Sequence, residues 1–314
     1  MLQTALVLQD MSNHKKEDGY HRPVLLQASI DNLNIKPNGV YVDVTFGGGG
    51  HSKEILKYLD KGRLIAFDQD PEALANRIDD PRFELVDQNF RFMKNWLRLM
   101  GIRQVDGILA DLGVSSHQFD SEERGFSIRF DATLDMRMDM KGTLTAADVV
   151  NSYEEQQLTQ VLRSYGELQN ARSMTRSIMQ ARPLFTSEDL KHAVQKHLPR
   201  MREHKVLAQL FQALRIEVNR ELDVLKEFLE QSADVLAPDG RLVVISYHSL
   251  EDRLVKDFMK TGNFEGTPVK DFFGNLQRPL KPLTSKPILP TAEEIEDNTR
   301  ARSAKMRVAT KENK

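Results

Sequence analysis

The feature of this chain that most constrains its fold is the segment Val40–Ser52, which reads VYVDVTFGGGGHS. Valines alternate with Tyr41 and Asp43 and then give way to four glycines, which predicts a short strand ended by a tight turn. Apolar residues at helical spacing follow and predict a helix. Glycine lets a backbone approach a ligand closely, and the first N–H groups of a helix attract anions. This strand–turn–helix unit therefore predicts a nucleotide-type ligand.

Strand and helix patterns continue to alternate after this unit. Asp70 is placed to cap a helix that Pro71 begins, and Gly62 is placed to end the helix before it. We predict strands at Arg63–Asp68, Arg82–Val86, Val105–Asp111, Arg241–Tyr247 and Ala304–Ala309. Such alternation predicts an α/β fold with a parallel, doubly wound sheet.

The alternation is interrupted in the middle of the chain. Residues 112–141 are irregular, and the pattern from Thr143 to Arg202 is helical and basic. Apolar residues from Leu207 to Leu236 then predict one long amphipathic helix. We expect a loosely ordered terminus at 1–18, a discontinuous domain at 19–142 and 216–314, and a helical insertion at 143–215. The segment from Gly262 to Asp297 contains five prolines and is predicted to be a loop with one edge strand.

Composition limits the classes of function. The chain has 314 residues and a net charge of −2. It contains no cysteine, and the lack of cysteine excludes disulfides, thiolate zinc sites and thiol nucleophiles. No apolar run approaches the roughly 20 residues of a membrane helix, so we predict a cytoplasmic protein. Positive charge is concentrated locally. Residues 163–205 contain nine Lys/Arg and four Asp/Glu (+5), and residues 298–314 contain six and one (+5).

The glycine loop is compatible with more than one cofactor. A phosphate-binding P-loop is excluded because no Gly-Lys-Ser/Thr follows the glycines. The dinucleotide pattern matches at Gly47 and Gly49 but has Ser52 in place of its third glycine. Asp68, about twenty residues on, is where an acid commonly accepts from ribose hydroxyls. Asp111 begins a polar turn after the fourth strand, and this turn favours S-adenosylmethionine over NAD.

Several longer motifs carry a resemblance to a known family. They are His21–Leu26, Thr45–Ser52, Asp111–Ser116, Glu123–Ser127, Leu134–Met138, Phe211–Ile216, Tyr247–Arg253 and Arg300–Lys305. In this order and spacing the chain resembles the bacterial cytosine-N4 methyltransferases of small-subunit ribosomal RNA, the MraW type. The resemblance implies a Rossmann-like, S-adenosylmethionine-dependent methyltransferase sheet with an inserted, smaller all-helical domain for substrate recognition. The sequence of this chain departs from the family at His204–Leu210, where many members carry a His-Pro-Ala-Thr-Arg-like segment.

The resemblance also implies which residues bind the cofactor. Gly49, Gly50 and His51 would line its methionine end, Asp68 would bind the ribose and Phe90 would pack beside the adenine. Asp111 and Gln118 would complete the pocket. We further predict that His248, Arg300 and Arg302 face RNA. No metal site is predicted, because His51 has no partner His or acid at ligand spacing.

The implied reaction transfers a methyl group to the exocyclic N4 of a cytidine in the 16S RNA of the small ribosomal subunit, at its decoding region. Carbon-5 methylation of cytosine normally needs a cysteine, so that route is closed. Asp111 is the candidate proton acceptor, and Ser246 and His248 are a second pair. Two alternatives stay open: a nicotinamide-dependent oxidoreductase, and a non-catalytic RNA-binding or ribosome assembly factor that retains the fold.

Overall fold

The computed structural model describes residues 23–115 and 124–312 of the chain. The strands of its sheet are β1 (Val40–Asp43), β2 (Arg63–Asp68), β3 (Phe83–Asp87), β4 (Val105–Asp111), β5 (Leu236–Ser246), β6 (Leu280–Pro282) and β7 (Lys305–Lys311). The α-helices are α1 (Leu26–Leu33), α2 (Gly50–Tyr58), α3 (Pro71–Leu74), α4 (Met93–Leu99), α5 (Ala146–Ser152), α6 (Glu155–Ser164), α7 (Ala171–Ala181), α8 (Ser187–Val194), α9 (Glu203–Asn219), α10 (Glu221–Val235), α11 (Ser249–Thr261) and α12 (Ala292–Asp297). Short 3-10 turns occur at Phe90–Phe92, Gln195–His197 and Thr299–Ser303.

The strands form one sheet in the order β3-β2-β1-β4-β5-β7-β6. The first five are parallel, and β7 runs antiparallel between β5 and β6. The chain moves outward from β1 to β3 and then returns to β4 on the other side of β1. Ligands of such sheets bind beyond the carboxyl ends of the strands where the order reverses. The prediction of a doubly wound sheet is confirmed, and the glycine loop and Asp111 meet at the point of reversal.

Helices cover both faces of the sheet. On one face α4, α10 and α11 pack against strand residues such as Val42 and Val244, and Phe228 of α10 is fully buried there. On the other face α1 and α2 pack against Tyr41 and Leu64. Successive side chains of a strand point to opposite faces, which is why Tyr41 and Val42 belong to different clusters. Full burial of one such side chain stabilises the fold by about 1.5–3 kcal/mol.

A third hydrophobic cluster lies among α5 to α9, between β4 and β5 in the chain. Phe126, Leu134 and Met136, which precede α5, also belong to it. This cluster shares no residue with the two clusters of the sheet. A separate core is what a small lobe needs in order to fold as a unit. The division of the chain at 143 and 215 stays a proposal.

Two predicted elements differ in the structure. The helix predicted from Leu207 to Leu236 is broken at Arg220, whose φ is +51°, and the Arg215 guanidinium spans the break to bind Glu221 with bonds of 2.8 and 3.0 Å. The strand predicted to begin at Arg241 begins at Leu236, because Leu236 already pairs with β4 ahead of an irregularity in the register. The first boundary depends on a side-chain contact across the break, and the second depends on the pairing of two strands that are distant in sequence.

Gly62 does not end the helix before it. That helix ends at Tyr58, and Leu59 is already extended. A Cβ on Gly62 would lie 2.4 Å from the carbonyl oxygen of Gly39, so Gly62 permits a close approach of two chain segments. The edge strand predicted after Gly262 is β6, and the same segment also contains α12.

Candidate active site

The glycine loop between β1 and α2 has a backbone that other residues would strain or block. Gly47 has a φ of +51° and Gly49 a φ of +75°, both in the left-handed region that favours glycine. Gly50 is the first residue of α2, and a Cβ there would lie 2.2 Å from Cγ of Pro23. The loop therefore brings backbone N–H groups of the helix start to the carboxyl edge of the sheet, where they can bind an anion.

Asp43 anchors this loop from below. Its side chain is 1% exposed, and its carboxylate accepts from the Ser52 hydroxyl at 2.7 Å and from the Thr45 N–H at 3.1 Å. Burial raises the pKa of Asp43, and the Ser52 hydroxyl opposes that rise. Ser52 thus occupies the third-glycine position because it ties α2 to the end of β1.

Asp68 ends β2 and holds the loop from the side. One carboxylate oxygen accepts from the Gly47 N–H at 2.8 Å, and the other accepts from the Asp70 N–H at 2.9 Å. Burial raises the pKa of Asp68 to about 6, and both backbone donors oppose the rise. Each oxygen has a second lone pair, so the carboxylate can also accept from the hydroxyls of a ligand.

Asp111 ends β4 on the other side of the loop. Its Oδ1 accepts from the Tyr247 hydroxyl at 2.7 Å, and its N–H donates to the Thr45 hydroxyl at 2.7 Å. Its Oδ2 lies 3.9 Å from Nδ1 of His51. Burial raises the pKa of Asp111 to about 6, opposed by His51 and by the Tyr247 hydroxyl.

His51 presents a lone pair toward Asp111. Its Nε2 lies 3.2 Å from the carbonyl oxygen of Val24, so Nε2 carries the ring proton. Burial lowers the pKa of His51, which keeps the ring neutral. Nδ1 and the Asp111 carboxylate are therefore two acceptors that face one another. A group with several N–H donors, such as an ammonium, could donate to both acceptors at once.

Phe90 and Gln118 are the other two predicted cofactor residues. Phe90 begins the 3-10 turn after β3, and its ring packs edge-on against Phe228 with centroids 5.4 Å apart. It remains partly exposed, beside the end of the strand next to Asp68. Gln118 lies outside the described residues, so its predicted role stays a prediction.

The predicted RNA-facing residues are in different surroundings. Arg300 and Arg302 lie in the 3-10 turn before β7, next to the carboxyl end of β5, and Arg302 is exposed. The His248 side chain is 9% exposed and caps α11, with Nδ1 accepting from the Glu251 N–H. The prediction that His248 faces RNA remains a prediction, and its burial argues against it. The Ser246 hydroxyl donates to the carbonyl of Lys305.

One partly buried cluster resembles a metal site but is better described as an ion-pair network. Glu221, His248 and Glu251 bring possible ligand atoms within 4.8 Å of one another. The Arg215 guanidinium, however, already donates to both carboxylate oxygens of Glu221. Burial alone would raise the pKa of Glu251, but His248 and Arg215 outweigh burial and lower it.

Three contributors to the site were not predicted from sequence: Asp43, Tyr247 and Arg124. Arg124 donates to the buried Asp70 carboxylate at 2.8 Å and to the Arg137 carbonyl at 2.7 Å. It therefore connects the loop after β2 to the segment before α5. The sequence did mark Asp43 as unusual, because it is an acidic residue within an otherwise apolar strand. Nothing in the local sequence pairs Tyr247 with Asp111 or Arg124 with Asp70.

Comparisons with known proteins identify similar sequences over most of the chain. A family model described as the MraW methylase family matches residues 18–312. The ribosomal RNA small subunit methyltransferase H of Flavobacterium johnsoniae is 60% identical over 296 residues, which cover 93% of this chain and 98% of the relative. The protein of the same name from Bacteroides thetaiotaomicron is 55% identical over 301 residues, covering 95% and 99%.

Proposed function

The chain belongs to the MraW methylase family, and from that membership we propose that it methylates the exocyclic N4 of a cytidine in the 16S RNA of the small ribosomal subunit. The family makes it an S-adenosylmethionine-dependent enzyme that modifies ribosomal RNA. The observation that supports the site is the convergence of the glycine loop, Asp68 and Asp111 at the reversal point of the sheet. We place the reaction in the cytoplasm and the target base in the decoding region. In the part of the chain that the structure describes, none of the helices has both the length and the apolar composition of a membrane span.

The residues present fit S-adenosylmethionine. The α2 N-terminus offers N–H groups to its carboxylate, and the Asp111 carboxylate with His51 Nδ1 offers two acceptors to its ammonium group. Asp68 would accept from the ribose hydroxyls, and Phe90 would pack beside the adenine. When bound, the cofactor supplies a methyl group on a positively charged sulfur.

The chain's own contribution to the reaction is positioning and proton acceptance. The cytosine amino group is a weak nucleophile because its lone pair is delocalised into the ring, so alignment supplies most of the acceleration. Asp111 is our candidate proton acceptor, since a carboxyl whose pKa is about 6 is ionised yet basic near neutral pH. The second candidate pair is less well placed, because Ser246 donates to the Lys305 carbonyl and His248 caps α11.

The helical lobe and the basic C-terminal turn would hold the RNA around the target. A paired base cannot reach a buried site, so the cytidine must be unpaired or flipped out. We propose residues 143–215 as the substrate-recognition lobe, with Arg300 and Arg302 contacting phosphate beside the sheet edge. The net charge of −2 favours a folded target over random RNA.

Labelled methyl transfer from S-adenosylmethionine to small subunits tests the proposal. We expect wild-type protein to label the RNA and the Asp111→Ala variant to lose at least 100-fold in kcat/KM. Asp106→Ala is a control, since Asp106 is at the opposite end of the same strand. Wild-type protein that binds S-adenosylmethionine without labelling RNA would instead support the assembly-factor alternative, and tighter binding of NAD would support the oxidoreductase.

A further inference from the structure

A short hairpin between α11 and β6, formed by residues 269–277, presents two adjacent phenylalanines to solvent. Phe272 is 97% exposed and Phe273 is 84% exposed. Their rings contact each other edge to face, with centroids 5.6 Å apart. A contiguous apolar patch on the surface of a soluble protein is often a binding site.

Hydrogen bonds within the hairpin fix the conformation of its turn. The Asp271 carboxylate accepts from the N–H groups of Phe273 and Asn275, both at 2.9 Å, and from the Asn275 side-chain amide at 3.1 Å. Gly274 takes a φ of +86° at the tip, and its N–H donates to the Asp271 carbonyl at 3.0 Å. Because the turn is held by its own bonds, little ordering would be needed when the two rings bind a partner.

The hairpin is attached at the end of the domain opposite to the candidate active site. Its base packs against Gly262, which ends α11, and β6 begins directly after it. Arg241 and Lys281 both pair with Thr310 of β7, so β6 begins near the amino edge of the sheet. The strands rise about 3.3 Å per residue, so this edge is about 20 Å from the carboxyl edge. Only a macromolecule can reach both places.

The chain segment that carries the two rings has a positive net charge. Residues 260–286 contain five Lys/Arg and two Asp/Glu, a local charge of +3 in a chain whose net charge is −2. Lys260, Lys270 and Lys286 are exposed. A polyanion satisfies this charge, and aromatic rings beside lysines are the arrangement that proteins use to bind single-stranded nucleic acid.

The exposed area also distinguishes between partners. Two phenylalanine side chains can bury about 300–500 Å², whereas a stable protein interface needs about 800 Å² from each partner. The pair is thus too small to hold a second copy of this chain by itself. It is the right size to stack on one or two bases, since each base offers one face to a ring.

We infer that the hairpin formed by residues 269–277 is a second RNA contact, in which Phe272 and Phe273 stack on unpaired bases of the substrate RNA while Lys270 and other lysines of the same segment bind its phosphates. The contact lies about 20 Å or more from the base that is methylated. It rests on the proposed function, because the RNA it binds is the ribosomal RNA that carries the target cytidine. It would favour a large, shaped substrate over a short strand.

The Phe272→Ala/Phe273→Ala double variant tests this inference, with Leu99→Ala as the control because Leu99 is 77% exposed on α4. Binding to unmethylated small subunits and to free 16S RNA is measured at several salt concentrations, together with methyl-transfer kinetics. We expect the double variant to bind RNA at least tenfold more weakly and to raise KM with kcat unchanged. The affinity for S-adenosylmethionine, the Tm and the salt slope should not change, whereas Lys270→Ala should reduce the salt slope by about 0.7–0.9.

Equal RNA affinity and KM in the wild-type protein and the double variant would overturn the inference. So would an unchanged RNA affinity accompanied by loss of self-association or of binding to anionic lipid vesicles, since the partner would then be a second copy or a membrane. Absence of methyl transfer by the wild-type protein would contradict the proposed function instead, and the RNA-binding comparison would still decide the role of the hairpin.

Discussion

Burial raises the pKa of the Asp68 and Asp111 carboxyl groups to about 6. The binding of S-adenosylmethionine at this site should therefore depend on pH. Both groups must be ionised to accept from the ribose hydroxyls and the ammonium group of the cofactor. We expect the affinity for S-adenosylmethionine to be constant above pH 7. It should fall by up to about tenfold per pH unit for each carboxyl as the pH drops through 6. Calorimetry between pH 5 and 8 measures this.

The stability of the unliganded protein should change in the opposite direction. The folded pKa of each group lies above its ordinary value of 3.8, so the folded state binds more protons than the unfolded state between pH 4 and 6. The stability that these protonated groups contribute is present below pH 4 and is lost as the pH rises through 6. Asp68→Asn should flatten part of both dependences. Affinity that does not change between pH 5 and 8 would remove these carboxylates from the binding site.

At the scale of elements, the start of α2 depends on a contact with Pro23. A Cβ on Gly50 would lie 2.2 Å from Cγ of Pro23, and Gly50 has no positive φ, so the constraint is one of space. We predict that Gly50→Ala lowers the free energy of unfolding by about 1–3 kcal/mol and weakens cofactor binding. Adding Pro23→Ala should recover part of both losses, because it removes the obstructing ring. Additive effects in denaturant unfolding would show that the two residues do not interact.

The loop after β2 depends on a buried ion pair with the segment before α5. Asp70 is 3% exposed and Arg124 is 11% exposed, and their side chains are 2.8 Å apart. Removing one partner leaves the other buried and unpaired, so Arg124→Ala should cost about 3 kcal/mol of the free energy of unfolding. The Arg124→Ala/Asp70→Ala double variant should cost clearly less than the sum of the single changes. A purely additive cycle would contradict this coupling.

The elements that local sequence specifies were the ones that could be predicted. The alternation in Val40–Asp43 and the glycines after it predicted the loop, and the acids that end β2 and β4 are in the predicted positions. The break at Arg220 could not be predicted, because the bonds between Arg215 and Glu221 stabilise it. A polar side-chain contact across a helix break leaves no signal in the apolar periodicity of the sequence.

The same limit applies to the candidate site. The pairing of Tyr247 with Asp111 joins residues 136 positions apart, and it places a phenol next to a carboxylate that sequence alone could only mark as a strand end. Burial of His248 likewise depends on the packing of α11 against β5 and α10. Residue type and position were thus predictable, whereas orientation and protonation required the fold.

At the scale of the whole molecule, charge is separated by region. The chain is slightly acidic overall, yet the helical insertion, the C-terminal turn and the segment 260–286, which contains the hairpin before β6, are basic. Such an arrangement binds an anionic surface at several separated points without a strong attraction for RNA in general. A ribosomal subunit presents that kind of anionic surface. The candidate active site of this protein opens at the carboxyl edge of its sheet.

The most direct test of the central claim is the chemical identity of the methylated nucleoside. Unmethylated small subunits are incubated with this protein and labelled S-adenosylmethionine, and the RNA is digested to nucleosides and analysed by mass spectrometry. We predict that the label appears in N4-methylcytidine of 16S RNA and that Asp111→Ala abolishes it. Label in 5-methylcytidine, in another base or in no nucleoside would contradict the account.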